Sequence, residues 1–220
     1  MGAVDHEDPL TRQPQVGMGS GGLSPMDPPE AFSPPGLERV SVLDMHPFLQ
    51  QLCEEHSLLS TELTAFEAVL QSVPKAGFTK HVHGELLGFL DGLERTFVPH
   101  SRQEEESLFP LLNARLLEEG EHGKGPVATT AVDIMKDDHL QVIRLSAVIT
   151  NFLKIAPHLP DASSALVVRD AALRHAKCLV DALKLHMFRE DNVVFAAAQR
   201  LLSTDELDQI LPGQGDRIAR

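Results

Sequence analysis

The chain contains no tyrosine and no tryptophan. Their absence excludes a tyrosyl-radical mechanism and removes aromatic platforms on which nucleic-acid bases stack. Only two of its 220 residues are cysteine, Cys53 and Cys178, so neither a disulfide framework nor a cysteine-rich zinc module can be assembled. Positive charge is short as well: 19 Lys and Arg stand against 32 Asp and Glu, a formal net charge of −13. Such a balance repels phosphate backbones and anionic lipid, so neither nucleic acid nor a membrane surface is an expected partner. No run approaches the roughly 20 apolar residues that span a bilayer, and the opening MGAVDHEDPLTRQ lacks the basic and apolar stretches of a signal peptide. A reducing, cytoplasmic setting is the expectation. Strand-like alternation of apolar and polar residues is also nearly missing.

What is present falls into two parts. Residues 1–40 hold seven prolines and six glycines with almost no apolar periodicity, and read as a disordered tail free to engage a protein partner. From Val40 onward, apolar residues recur at spacings of three and four, the pattern of amphipathic helices. Proline, glycine and capping residues divide this stretch into four long helices. The first starts between Ser41 and Pro47 and stops at Pro74 and Gly77; the second occupies about 78–118 and is expected to bend at Pro99 and Pro110. A third runs over about 129–156, and a fourth opens at Asp161 or Ser163 and continues to about Leu202. A short helix over STDELDQIL, with a capping-box start, closes the segment. The predicted fold is therefore all-α: an antiparallel up-down-up-down four-helix bundle over 41–212, preceded by the tail.

Histidine is the surplus residue, with eleven copies. The second helix reads His100-Ser-Arg-Gln-Glu104 and the fourth His186-Met-Phe-Arg-Glu190, each followed five residues later by phenylalanine, Phe109 and Phe195. The first and third helices each carry an acidic residue followed by histidine, Glu55-His56 and Asp138-His139. His56 and His100 lie 44 residues apart, His139 and His186 47 apart, so the two halves repeat. His and Glu at i and i+4 share one helix face about 6 Å apart along the axis. Adding one inward His from each of the other two helices brings four imidazoles and two carboxylates to a common centre. Burying them without a counter-charge is costly, and two divalent cations would neutralise the set. The donors are too many for one tetrahedral zinc and too nitrogen-rich for calcium or magnesium, which points to a pair of irons with positions left for a small molecule.

These motifs, EH, HSRQEEESLFP, DH and HxxxEDxxxF in order over about residues 45–200, resemble those of the hemerythrin family, in particular the hemerythrin-like HHE cation-binding domains. The resemblance implies that His56, His100, His139 and His186 are iron ligands and that Glu104 and Glu190 bridge a non-heme di-iron centre. It implies O2, NO or peroxide as small ligands, or iron handling in oxidative or nitrosative stress. Met135 stands where oxygen-carrying hemerythrins place a further histidine, so the ligand set is similar to that of the iron-sulfur-cluster-repair branch. Iron donation to damaged clusters, and a metal-dependent sensor acting through its tail, are the alternatives. A substrate-turning enzyme is less expected than a binding protein.

Other residues have plainer expectations. His6, His46, His81, His83, His122, His158 and His175 lie off the repeat and are expected to be mostly solvated. Cys53 is expected to be a buried filler, and Glu105, Glu106 and Asp191 to face solvent. Glu55 and Asp138 are candidates to support the ligands, although one residue along a helix turns a side chain by about 100° and so away from its neighbour's target. Periodicity points Leu59, Leu63, Leu93, Phe97, Leu108, Val132, Val142, Ile143, Leu179, Leu183 and Val194 inward.

Overall fold

The computed structural model describes residues 40–211, and the expected tail lies outside the described residues except for Val40. A 3-10 turn, Val42–Asp44, leads into α1 (Pro47–Ala76). The second long helix is α2 (Lys80–Gln103), a π turn (Glu104–Leu108) and α3 (Phe109–Glu118) in unbroken succession. After the glycine-rich loop come α4 (Ala131–Ile155) and α5 (Ala162–Arg189), the latter running through a second π turn (Glu190–Val194) into α6 (Phe195–Leu201). A final short helix, α7 (Thr204–Ile210), completes an all-helical bundle with no strand among the described residues. No helix among them is long and apolar enough to cross a membrane.

Side-chain caps start these helices. Thr79 accepts from the Val82 N–H, Asp161 from the Ser164 N–H, and Thr130 and Asp133 cap each other's backbone in a capping box at α4. Ser203 and Glu206 form the expected capping box at α7. His46 begins α1 in an unexpected way: its Nδ1 accepts from the Phe48 N–H while Nε2 meets Asp208 Oδ1 of α7 at 3.2 Å. It is buried, which corrects the expectation of a solvated side chain.

Between Pro99 and Pro110, where bends are expected, the second helix widens into a π turn. The fourth helix has its own π turn at the same place in the repeat with no proline nearby, so the wide turn belongs to the repeat itself. Each begins at the glutamate of HxxxE, and each ends when the repeated phenylalanine donates its N–H back to that glutamate's carbonyl.

Nearly all residues expected inside are inside; Ile143 is the correction, 42 % exposed on the outer side of α4. The apolar core forms two separate clusters. One, rich in leucine, fills the bundle from Leu59 to Leu70 on α1, Val82 to Phe97 on α2, Val142 to Leu153 on α4 and Ala172 to Met187 on α5. The other gathers the start of α1, Val132 and Met135 of α4, and side chains of α3, α6 and α7. A layer of polar side chains lies along the chain between the two.

Candidate metal centre

His56, His100, His139 and His186 come from α1, α2, α4 and α5, and all four are buried together with Glu104 and Glu190, which are fully buried. The structure thus brings all six residues of the repeat to one place. His56, His100, Glu104 and Glu190 offer donor atoms within 4.8 Å of one another, and His139, His186 and Glu190 do the same. Glu104 turns Oε1 toward His100 Nε2 at 3.5 Å and Oε2 toward His139 Nε2 at 3.3 Å. Glu190 presents Oε2 to His56 and His186 at 3.1 and 3.2 Å, and Oε1 to His139 at 3.7 Å. Each carboxylate therefore faces imidazoles from both halves of the repeat.

Three further carboxylates fix the rings from outside, all placed by residues adjacent in sequence to the central ones. Nδ1–H of His56 donates to Asp191 Oδ1, that of His100 to Glu55 Oε2 and that of His139 to Glu105 Oε1, each at 2.7 Å. This corrects the expectation for Glu105 and Asp191, which are only about 40 % exposed and turn one oxygen inward. Glu55 does point away from its neighbour His56, as helical rotation requires, but thereby reaches His100 on the next helix. Glu106 is exposed as expected, and Asp138 binds Arg189 through both carboxylate oxygens.

The repeated phenylalanines have a matching task. Phe109 stacks on His139 with ring centroids 5.7 Å apart, and Phe195 on His56 at 5.5 Å. Each HxxxE segment thus clamps the single histidine of a neighbouring helix between a carboxylate on Nδ1 and an aromatic face. Phe97 closes the opposite side, with its ring steeply inclined to His139 and His186.

The donor set fits a cation. With Nδ1 acting as donor on both rings, the Nε2 lone pairs of His56 and His100 face each other at 3.1 Å, a contact that needs a proton or a metal ion between them. Both oxygens of Glu104 and Glu190, Nε2 of His139 and both ring nitrogens of His186 are buried without a hydrogen-bond partner. Protons serve as the counter-charge when no metal does. Burial opposes charge on His56, but Asp191 and Glu190 raise its pKa to about 10; burial likewise opposes charge on His139, and Glu104 and Glu190 raise it to about 10. Burial, reinforced by the neighbouring imidazoles against the pull of Glu190, lowers His186 to about 3. Burial and the charge of Glu190 push Glu104 above the usual carboxylate range, whereas the surrounding imidazoles overcome burial and hold Glu190 well below it. Cys53, one turn before His56, is buried, and burial together with Asp191 pushes its thiol up to about 12.

Comparison with known protein families gives a match to the hemerythrin HHE cation-binding domain over residues 48–198. Comparison with curated proteins and with solved structures gives no match. The matched span runs from the first turn of α1 into α6, takes in all six residues of the polar layer, and covers well over half of the chain. A helical bundle crossed by a buried His and Glu layer suited to metal, within a family match of that extent, means that this chain belongs to the hemerythrin HHE cation-binding family.

Proposed function

We propose that the chain holds a carboxylate-bridged pair of irons in this layer and binds O2, NO or peroxide there. His56, His100, Glu104 and Glu190 surround one position; His139, His186 and Glu190 surround the other, with Glu104 Oε2 turned toward it. One observation carries this reading: the two oxygens of a single buried carboxylate, Glu104, face imidazoles from opposite halves of the repeat at 3.5 and 3.3 Å. A bridging carboxylate requires that placement. The donors are nitrogen and oxygen with no thiolate among them, a set that suits iron rather than the softer metals. Two irons so held supply open coordination and electrons for a small ligand.

The protein's own part is to orient and to keep dry. Carboxylates on the outer ring nitrogens of His56, His100 and His139 fix the tautomer that turns Nε2 inward. Apolar clusters on both sides of the layer admit a small gas and exclude larger substrates, so binding is favoured over substrate-scale turnover. Met135, one turn before His139, is fully buried in the second cluster and lines the layer with a thioether where a further imidazole would add a donor.

The test is metal analysis of protein purified without added metal, with absorption spectra after reduction and after exposure to air or NO. About two irons per chain are expected, with a visible band that bleaches on reduction and changes with the gas. A single non-redox metal per chain, or a spectrum indifferent to both gases, would overturn the proposal.

A further inference from the structure

The two halves of the repeat share the histidines and glutamates of the layer and the phenylalanine after each HxxxE, but differ at the outer nitrogen of the HxxxE histidine. Helical position equates Glu55 with Asp138, His100 with His186, and Gln103 with Arg189. In the first half, Glu55 accepts from His100 Nδ1 at 2.7 Å, and Gln103 Nε2 lies buried without a partner. In the second half, Arg189 donates to both oxygens of Asp138, at 2.8 and 3.0 Å, and His186 Nδ1 is buried without a partner. Arg189 and Asp138 have side chains only 12 % and 15 % exposed, so this is a sheltered charge-assisted pair and not a loose surface contact. Arginine stands where the first half has glutamine, and the carboxylate of Asp138 faces it.

We propose that Arg189 is a positioning residue that, together with the shorter reach of Asp138, leaves His186 without a carboxylate on Nδ1 and so makes the His139/His186 metal position the weaker of two unequal positions. The inference rests on the reading of the layer as a two-metal centre. A carboxylate on the far ring nitrogen strengthens an imidazole as a donor and fixes its orientation; losing one lowers metal affinity roughly 10- to 100-fold. Around the first position both histidines have such a partner, Asp191 for His56 and Glu55 for His100. Around the second only His139 has one, Glu105. His186 is positioned by ring contacts with Phe97, His139 and His56 and by its Nε2 contact with Glu190, with no carboxylate on Nδ1. One metal is held firmly, and the other is the one that exchanges, changes coordination, or leaves.

Anaerobic titration of the metal-free full chain with cobalt(II), followed by visible absorption and calorimetry, reads the two positions separately. The parent is expected to bind two equivalents in steps separated roughly 10- to 100-fold in affinity. The double variant R189Q/D138E copies the first half into the second, the longer glutamate restoring the reach that Glu55 has. It is expected to tighten the second step while leaving the first in place. E55Q, at a partly exposed side chain, is expected to weaken the first step and so close the gap from the other side. The inference is overturned if two equivalents bind to the parent with equal affinity, or if a folded double variant or E55Q keeps the parent's separation. A parent that binds one equivalent or none would instead overturn the two-metal reading beneath it. Misfolding of the double variant, visible by circular dichroism, leaves E55Q to decide.

Discussion

The two apolar compartments flanking the polar layer are built in different ways. The larger, leucine-rich one is assembled from the helical hairpins α1–α2 and α4–α5, whose members are joined by short turns. It meets the layer through Phe97, inclined steeply to His139 and His186. The smaller one is closed by parts of the chain far apart in sequence: His46 N–H donates to Gln199 Oε1 at 2.7 Å, and Arg115 donates to Glu206 Oε1 of α7 at 2.8 Å. It meets the layer through the flat faces of Phe109 and Phe195. The difference separates two tasks. The leucine compartment fastens the helices together and meets the imidazoles through the inclined ring of Phe97, whereas the smaller compartment lays a flat aromatic face on His56 and on His139.

Protonation of the layer between them gives the largest expected effect. In the metal-free protein His56 and His139 have pKa values raised from 6.5 to about 10, so the stability they contribute is complete below about 6.5 and is lost as pH rises toward 10. His186, lowered to about 3, acts in the opposite sense below 6.5, because the unfolded chain takes up a proton there that the folded chain refuses. Denaturant unfolding of metal-free protein should therefore show stability falling from pH 6.5 to 9. Metal affinity should rise over the same window, since the protons on His56 and His139 must leave before Nε2 can ligate. Metal-free stability that is flat or rising between those two values would show that protons are not the layer's counter-charge.

Substitutions in the two compartments sharpen the contrast. Leu86 and Phe195 are both fully buried, one in each compartment. Leu86→Ala should cost about 2–5 kcal/mol and Phe195→Ala about 3–5 kcal/mol, as large-to-small core changes do. Only Phe195→Ala removes a ring that faces His56, so it alone should weaken metal binding once each variant is compared at a temperature where it is folded. Equal loss of metal in both variants would mean that the layer depends on overall stability and not on the aromatic clamp.

The parts of this architecture that were legible in the sequence are those written in helical spacing. Apolar periodicity, the Asp161 cap and the Ser203 and Glu206 pair gave the helices and their ends, and the repeated HxxxE together with the two acidic-His pairs pointed to all six central residues that the structure gathers. Of the outer carboxylates only Glu55 was named as a candidate support, and its partner was not legible, because these roles depend on which helix lies alongside. Glu55 is turned away from His56 by helical rotation and meets His100 for that very reason. Glu105 and Asp191 follow immediately within π turns, whose extra residue changes the face that later side chains present, and no residue type announces such a turn. Ile143 reads as core by spacing, yet α4 turns it outward.

His46 provides the smallest test and bears on how the second compartment is closed. Its backbone N–H is tied to Gln199 on α6, its Nδ1 accepts the Phe48 N–H at the start of α1, and its Nε2 meets Asp208 on α7. His46→Ala keeps the backbone contact and removes the other two. Loss of a helix cap typically costs about 1 kcal/mol, and the Asp208 partner is 45 % exposed, so its share is small. His46→Asn can supply the cap without reaching α7, and should recover most of the lost stability in thermal melts. Neither variant touches the leucine compartment or an imidazole of the layer, so metal stoichiometry should stay at the parent's value. A fall in bound metal with His46→Ala but not with His46→Asn would show instead that the α1 cap, some ten residues before His56, sets the angle at which that ring enters the layer.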